Sequence, residues 1–335
     1  MSSANLASRF GRLKLLSPIV VGACPMTADE RIRGELQDAG VGAIVLPSLF
    51  QEQVIQWNEK NGKGISGEEA RVLERSKRSM MDSFCDDAET YLSMVNRASV
   101  LSSVPIIASL NGEVGGNWLD FAGELQEVGA SAIELNVRMP PPTEYDRSQD
   151  AESKIQELVS TIGESVTVPV NVKISPEFTS VAHLATRLLS GANGMVLFAG
   201  SPIVDIDLGT LQLRPSWELT QGGSIISKLA SIMRIHAFCP AMPLAACGGI
   251  ATADDVLKTL LAGADVAMVT SAIYRDGANV VRLMNEGLKA SMAKHNWGNM
   301  GDLQAARPLE FSTEAQRLLY IQSLADRHPA VVDGT

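Results

Sequence analysis

Short apolar segments recur along the chain, and each is rich in β-branched or small residues. Continuous apolar runs of this kind are typical of parallel strands buried on both faces. Between them lie amphipathic stretches with helical spacing, such as 117–129 and 252–263. The segments predicted as strands are 18–23, 42–48, 104–111, 132–137, 168–174, 194–200, 243–249 and 266–272.

The junctions between helices and strands support a repeated unit. Four predicted helices end in glycine with small residues, and glycine past a helix end adopts the left-handed conformation that other residues resist. These turns lie at 38–43, 127–132, 190–194 and 261–267. Eight strand-and-helix units in succession predict an α/β protein with the (β/α)8 TIM-barrel fold, with an open doubly wound sheet as the alternative.

Two connections, 49–85 and 201–223, are too long to be simple turns. Long insertions after barrel strands often cover the C-terminal face of the barrel, so we expect long loops over that face. Solvated surface or a subunit contact is the alternative. We expect residues 1–300 to form the barrel domain and residues 301–335 to form a C-terminal helical extension.

Composition and charge exclude several function classes. The net charge of -10 argues against nucleic acid and against an anionic membrane surface as partners. No apolar run approaches the length of a membrane span and the N-terminus lacks a secretion signal, so we expect a cytoplasmic protein. The cysteines are far apart in sequence, which favours free thiols over disulfides or a zinc site. They are Cys24, Cys85, Cys239 and Cys247.

Two glycine and hydroxyl pairs indicate a phosphate site. In a barrel of this kind, function lies where strands end and helices begin. Gly248 and Gly249 follow the seventh predicted strand, and Thr270 and Ser271 follow the eighth and begin a short helix. Paired glycines let backbone N–H groups approach a phosphate closely, and a helix N-terminus adds further donors. The alternative is that the two glycines only allow a tight turn to pack closely and bind no ligand.

Three polar residues near other strand ends point to a heterocyclic ligand. Lys173 is costly to bury in an apolar strand unless it is paired, so it faces an anionic ligand or extends to solvent. Asn111 and Asn136 end neighbouring strands, where neutral amides can bind a heterocycle edge or simply form turns. With a phosphate site across the barrel, the three residues favour a mononucleotide.

Histidine and cysteine contribute little to the predicted chemistry. No histidine follows a strand, so we predict neither a histidine base nor a metal site. Cys24 follows the first strand, where packing is the more common role and a reactive thiol is the alternative.

Several motifs resemble the dihydroorotate dehydrogenase family, whose members bind FMN in a (β/α)8 barrel. The motifs are ELNV at 134–137, the lysine of VNVKISP, ACGGIATADDVLKTLLAGAD at 246–265 and VTSAIYRDG at 269–277. The resemblance runs from about Pro18 to Ala290. It implies that the FMN phosphate binds Gly248, Gly249, Thr270 and Ser271, and that the flavin is lined by Gly22, Ala23, Ser48, Asn111, Asn136, Lys173 and Ser201. It also implies that Lys173 stabilises the negative charge that reduction places near flavin N1.

The substrate side departs from the family pattern. The family's cysteine or serine base corresponds to Met139, which has no exchangeable proton, so no catalytic base is identified. The family's lysine after the second strand corresponds to Pro47. The asparagines that hold orotate correspond to Arg78, Pro141 and Gly200, and only Asn136 is kept. We therefore expect FMN binding with weak or absent dihydroorotate oxidation.

Three functional hypotheses remain open on the sequence. The first is an FMN oxidoreductase, within pyrimidine metabolism, that acts on another small molecule. Arg78 and Arg138 are candidates to bind an anionic substrate. The second is a non-catalytic flavin-binding protein. The third is a phosphate-binding barrel enzyme without flavin, in which Glu134 and Asp265 would be the acid and base. The resemblance to soluble family members implies a homodimer without a membrane helix.

Overall fold

The computed structural model describes residues 4–76, 87–112, 116–137, 147–198, 200, 203–308 and 313–325. Its strands are β1 (Ser8–Phe10), β2 (Leu13–Leu15), β3 (Ile19–Val21), β4 (Ala43–Phe50), β5 (Ile106–Gly112), β6 (Ala132–Val137), β7 (Val170–Ile174), β8 (Gly194–Leu197), β9 (Ile203–Asp207), β10 (Gln212–Ser216), β11 (Leu244–Cys247) and β12 (Val266–Val269).

Eight parallel strands close into a barrel in the order β3-β4-β5-β6-β7-β8-β11-β12. Closure is made by β12 and β3, where Met268 is in register with Val20. The (β/α)8 prediction is confirmed, and the closed sheet excludes the open doubly wound alternative. Each predicted segment overlaps one barrel strand, but segments 194–200, 243–249 and 266–272 run past their strands, which end at Leu197, Cys247 and Val269, and the last segment runs into α10.

Helices follow most barrel strands and cover the outside of the sheet. Several begin at a side chain that accepts from a backbone N–H of the first turn, as Thr252 does for Asp255 at 3.2 Å. The helices are α1 (Glu30–Asp38), α2 (Gln51–Lys60), α3 (Gly67–Ser76), α4 (Ala88–Leu101), α5 (Phe121–Glu127), α6 (Ser148–Ser165), α7 (Val181–Leu188), α8 (Ile226–Phe238), α9 (Ala253–Leu261), α10 (Ser271–Asp276), α11 (Asn279–Lys294), α12 (Met300–Ala305) and α13 (Thr313–Ala325).

The β1–β2 hairpin closes the N-terminal end of the barrel. Its side chains Phe10, Leu13 and Leu15 are buried in the same cluster as the inward-facing residues Val20 and Val196. A larger apolar cluster lies between the barrel and the helices. Because the hairpin fills one end, the polar residues that point into the barrel at the other end face a single opening.

The connection after β4 is folded rather than an open charged loop. It contains α2 and α3, and Glu69 of α3 is fully buried. The Glu69 carboxylate accepts from the backbone N–H of Ser66 at 2.7 Å and from that of Trp118 at 3.1 Å. The alternative of a solvated surface therefore does not hold for this residue, because its carboxylate satisfies backbone donors of two segments.

The connection 201–223 contains the antiparallel hairpin β9–β10. Residues directly opposite each other share a face, so Val204, Ile206, Leu213 and Pro215 form one apolar face. All four are exposed among the described residues. The other face carries Asp205, Asp207 and Arg214.

Residues after 300 form α12 and α13. Met300 and Leu303 of α12 are buried in the cluster between barrel and helices, and Arg307 donates to the carbonyl oxygens of Leu260 and Ala264. The division of the chain at residue 300 stays a prediction. Among the described residues, no helix is both long and apolar enough to cross a membrane.

Candidate functional site

Three of the predicted site residues lie side by side on neighbouring strands. Asn111 of β5 is in register with Asn136 of β6, and Asn136 is in register with Lys173 of β7. In-register residues of parallel strands point to the same face, so all three face the barrel interior near its C-terminal end. A planar ligand at this end can contact two amides and one ammonium.

A second polar layer lies below these residues. Ser48 Oγ and Ser109 Oγ are 2.8 Å apart, and Ser109 Oγ lies 3.4 Å from Glu134 Oε1. Glu134 is in register with Asn171 of β7. Polar side chains therefore fill this part of the barrel, whereas apolar residues fill the N-terminal part.

Lys173 does not extend to solvent. It is only 8% exposed, and its Nζ lies 3.4 Å from Glu134 Oε1. Burial is the largest influence and opposes the charged form of Lys173, but the interactions with Glu134, Cys247 and Cys24 together outweigh it, so the pKa of the ammonium is raised. The lysine thus remains a fixed cation at the C-terminal end of the barrel.

The two glycines after β11 adopt a conformation that favours glycine. Gly248 has φ +85° and Gly249 has φ +83°. A Cβ atom on Gly249 would lie 2.5 Å from the backbone nitrogen of Ile225, so the loop and the start of α8 are in close contact. A Cβ on Gly248 would meet Lys228 Nζ at 2.6 Å.

A segment that the sequence did not single out lies beside these glycines. Thr220 Oγ1 accepts from the Gly249 N–H at 3.0 Å and lies 3.0 Å from Ser271 Oγ. Arg275 of α10 donates to the carbonyl oxygens of Leu219 and Thr220. The Gly249 N–H and the hydroxyls of Thr220 and Ser271 are thus gathered at one point, where they hydrogen-bond to one another, and groups of this kind are donors suited to a phosphate.

Lys228 supplies a positive charge at the same point. Its Nζ donates to the carbonyl oxygen of Cys247 at 2.9 Å, directly before the glycine pair. Burial lowers the pKa of Lys228, because water solvates the charge of a half-buried ammonium less well. No sequence signal marked this residue, since a lysine near the start of an amphipathic helix is common.

The end of β3 joins the glycine loop to the rest of the site. Gly22 donates to the carbonyl oxygen of Val269 at 3.0 Å, and a Cβ on Gly22 would lie 2.7 Å from Thr270 Oγ1. Ala23 packs on the inner apolar cluster. Cys24 is buried, and burial raises the pKa of its thiol, which favours a packing role over a reactive one.

Several predicted residues lie outside the described ranges, namely Ser201, Arg78, Arg138, Met139 and Pro141. Pro47 is buried in β4, within an irregularity of register between Val45 and Ser48. A Cβ on Gly200 would come within 3.3 Å of the Trp217 ring. Within the described part of the chain, no cluster of three His, Cys, Asp or Glu side chains could hold a metal ion.

Asp265 lies far from this site. It directly precedes β12, and its carboxylate lies 3.5 Å from Arg307 and accepts from the Leu244 N–H. It therefore sits at the N-terminal end of the barrel, opposite Lys173. The structure does not bring Glu134 and Asp265 together as an acid and base pair.

Comparison with known proteins agrees with this architecture. A putative dihydroorotate dehydrogenase A (fumarate) of Aeropyrum pernix is 25% identical over 215 residues, which cover 60% of this chain and 67% of that protein. Dihydroorotate dehydrogenase A (fumarate) of Lactobacillus helveticus is 27% identical over 214 residues, 60% of this chain and 66% of that protein. The chain thus spans about two thirds of the length of these relatives.

A third relative covers more of the chain. The chloroplastic dihydropyrimidine dehydrogenase (NADP(+)) of Arabidopsis thaliana is 23% identical over 345 residues, which cover 93% of this chain and 79% of that protein. Residues 58–292, well over half of the chain, match the dihydroorotate dehydrogenase family itself. With a closed eightfold barrel and polar residues gathered at its C-terminal end, this chain belongs to the dihydroorotate dehydrogenase family.

Proposed function

We propose that the protein is an FMN-dependent oxidoreductase of the dihydroorotate dehydrogenase type, with a remade substrate pocket. One observation carries the proposal: Asn111, Asn136 and Lys173 are in register across three strands at the barrel end that also holds the glycine pair. Amides, a buried ammonium and a phosphate-type donor set are the groups that a flavin mononucleotide needs. Bound FMN would supply hydride transfer to or from the substrate.

Different residues of this chain would bind different parts of the cofactor. Gly248, Gly249, Thr270 and Ser271 would bind the phosphate, with Lys228 adding positive charge. Gly22, Ala23 and Ser48 would line the ring, with Asn111 and Asn136 at its polar edge. Ser201 is assigned to the flavin by family resemblance alone. Lys173 would hold its ammonium beside the ring and favour the reduced form.

The substrate pocket is expected to differ from that of a dihydroorotate dehydrogenase. Met139 stands where the family has a base, Pro47 where it has a lysine, and Gly200, beside the Trp217 ring, where it has an asparagine. Loss of a positioned base costs about 10²–10⁴ in rate. A reductase tolerates this loss because water can supply the proton while hydride leaves the flavin.

A small anionic molecule is the proposed substrate class, bound through Arg78 or Arg138. The similarity to a dihydropyrimidine dehydrogenase favours a pyrimidine-like ring. The cytoplasmic location and the role in pyrimidine metabolism remain predictions.

An absorbance spectrum of the purified protein, followed by anaerobic addition of dihydroorotate, tests the proposal. We expect a flavin spectrum that dihydroorotate bleaches slowly or not at all. Rapid bleaching would contradict the remade pocket. A colourless protein that cannot be loaded with FMN would contradict the cofactor assignment.

We also propose that two copies pair through the β9–β10 hairpin. An isolated two-stranded ribbon is marginal in water, yet the apolar face of this one is exposed. The opposite face is polar, with Arg214 lying 4.0 Å from Asp207, so the apolar face is the one that pairing would bury. Sedimentation should show a dimer that Ile206→Lys converts to a monomer, whereas Gln212→Lys on the polar face should leave it intact. A wild-type monomer would overturn this proposal.

A further inference from the structure

The carboxylate that pairs with Lys173 lies deeper in the barrel than the lysine. Lys173 is in register with Asn136, whereas Glu134 is in register with Asn171, two positions nearer the N-terminal end of the strand. The 3.4 Å contact between Lys173 Nζ and Glu134 Oε1 therefore runs diagonally along the barrel axis. The ammonium lies towards the ligand side of the pair and the carboxylate behind it.

Little besides Lys173 compensates the charge of Glu134. The residue is 1% exposed, and its Oε1 receives a long contact of 3.4 Å from Ser109 Oγ. Within the described residues, Glu134 Oε2 has no hydrogen-bond partner, and neither does the side-chain amide of Asn171. A buried charge with so few partners interacts strongly with the nearest opposite charge.

The two charges act together on anything bound at the barrel end. A ligand beside Lys173 feels the attraction of the ammonium reduced by the carboxylate behind it. In a buried site this reduction is large, because little solvent screens either charge. A lone lysine at this position would favour negative charge on the ligand more strongly than the pair does.

We propose that Glu134 sets the reduction potential of the bound flavin by offsetting the charge of Lys173. The inference rests on the proposed FMN site and adds a positioning residue that acts through Lys173 rather than by touching the ring. With Glu134 ionised, the reduced and more negative flavin is stabilised less than Lys173 alone would stabilise it. The carboxylate thereby keeps the flavin a better reductant, which suits a protein that passes hydride to its substrate.

The test is the midpoint potential of the FMN-loaded protein, measured spectroscopically against redox dyes. Glu134→Gln keeps the size of the side chain and removes the charge. The equilibrium constant for flavin reduction should therefore rise at least about tenfold, which raises the midpoint potential by about 30 mV for a two-electron couple. Lys173→Met should shift it in the opposite direction.

Glu152→Gln is the matched control. Glu152 is also buried and its Oε2 also lies 3.4 Å from a cation, the Nη1 of Arg187, but it belongs to α6 outside the barrel. This variant changes the net charge equally and should leave the potential unchanged. If Glu134→Gln fails to fold, Glu134→Asp serves instead, and its longer distance to the ammonium should give a smaller rise.

The outcomes separate the two proposals. A wild-type protein that binds no FMN overturns the proposed function. Bound FMN whose potential is the same in wild type and in the Glu134 variant overturns the role of Glu134 and leaves the cofactor assignment intact. A rise of similar size in the Glu152 control would also overturn it, since the effect would then reflect net charge alone.

Discussion

Ser224 Oγ lies 2.2 Å from the position that a Cβ atom on Gly249 would occupy. Gly249→Ala therefore combines this clash with a φ of +83° that costs about 1–2 kcal/mol for alanine. We expect a loss of free energy of unfolding of at least about 2 kcal/mol, and weaker FMN binding, because the backbone of this glycine is part of the proposed phosphate site.

Gly62→Ala is the control for that variant. Gly62 has φ +70° but no atom near its Cβ position, so only the conformational cost applies. Chemical denaturation and FMN titration of both variants distinguish the two costs. Equal destabilisation by both substitutions would show that the contact with Ser224 relaxes freely.

Arg307 links the segment after α12 to the N-terminal end of the barrel through hydrogen bonds. Its guanidinium is buried and donates to the carbonyl oxygens of Leu260 at 2.9 Å and Ala264 at 2.6 Å. Arg307→Met should lower the free energy of unfolding by about 2–4 kcal/mol, because two buried carbonyls and Asp265 lose their partner. Arg31→Met, which removes an exposed pair with Glu35, should cost about 0.5 kcal/mol or less.

Glu69 joins α3 to the segment that follows β5. Its two oxygens each accept from a backbone N–H, whereas a glutamine would present an NH2 group to one of them. Glu69→Gln should therefore cost about 1–3 kcal/mol in urea denaturation, despite being nearly isosteric. Glu68→Gln, on the exposed side of the same helix, is the comparison, and an equal cost for both would refute the assigned contacts.

Cys24 should be a slow nucleophile. Burial raises the pKa of its thiol, against hydrogen bonds that include one with Tyr274, so at pH 8 less of it is thiolate than of a free cysteine with a pKa of 9.0. Alkylation of the native protein, followed by peptide mass spectrometry, should label Cys24 more slowly than in the unfolded chain, and the rate should rise above pH 9. Rapid labelling at pH 7 would indicate a reactive thiol instead.

The Lys173–Glu134 pair should make stability depend on alkaline pH. The pKa of Lys173 is raised in the folded state above its ordinary 10.5, so the stabilising contribution is complete below pH 10.5 and is lost as the pH rises through the higher folded value. Denaturation between about pH 9 and pH 12 should show this loss. The double variant Lys173→Met with Glu134→Gln should lack it, and a parallel decline in both proteins would assign the effect to other groups.

Apolar patterning was enough to predict the barrel, because parallel strands covered on both faces must be apolar along their whole length. Gly40, Gly129 and Gly263 have positive φ, as expected at helix ends that lead into strands, whereas no residue of the fourth predicted turn, 190–194, does. The strand ends then placed Asn111, Asn136 and Lys173 together, since parallel strands present their C-terminal ends at one face.

Contacts between distant segments could not be predicted from the sequence. Nothing local indicates that Thr220 meets Gly249, or that Lys228 reaches Cys247, because both contacts depend on how α8 and its preceding loop cross the barrel end. The burial of Glu69 is hard to predict for a similar reason: a charged residue in a charged stretch is normally solvated, and its contact with the distant Trp118 N–H is not visible in the sequence.

Closure of the barrel has a consequence for how the chain folds. Val20 near the start of the sequence pairs with Met268, so the ring of strands cannot be completed until nearly all the intervening residues have been arranged. Contacts between such distant positions slow folding, because the entropy of ordering the long loop is lost before the pairing is gained. Until then β3 and β12 each present an unpaired strand edge, and refolding yield should accordingly fall as protein concentration rises.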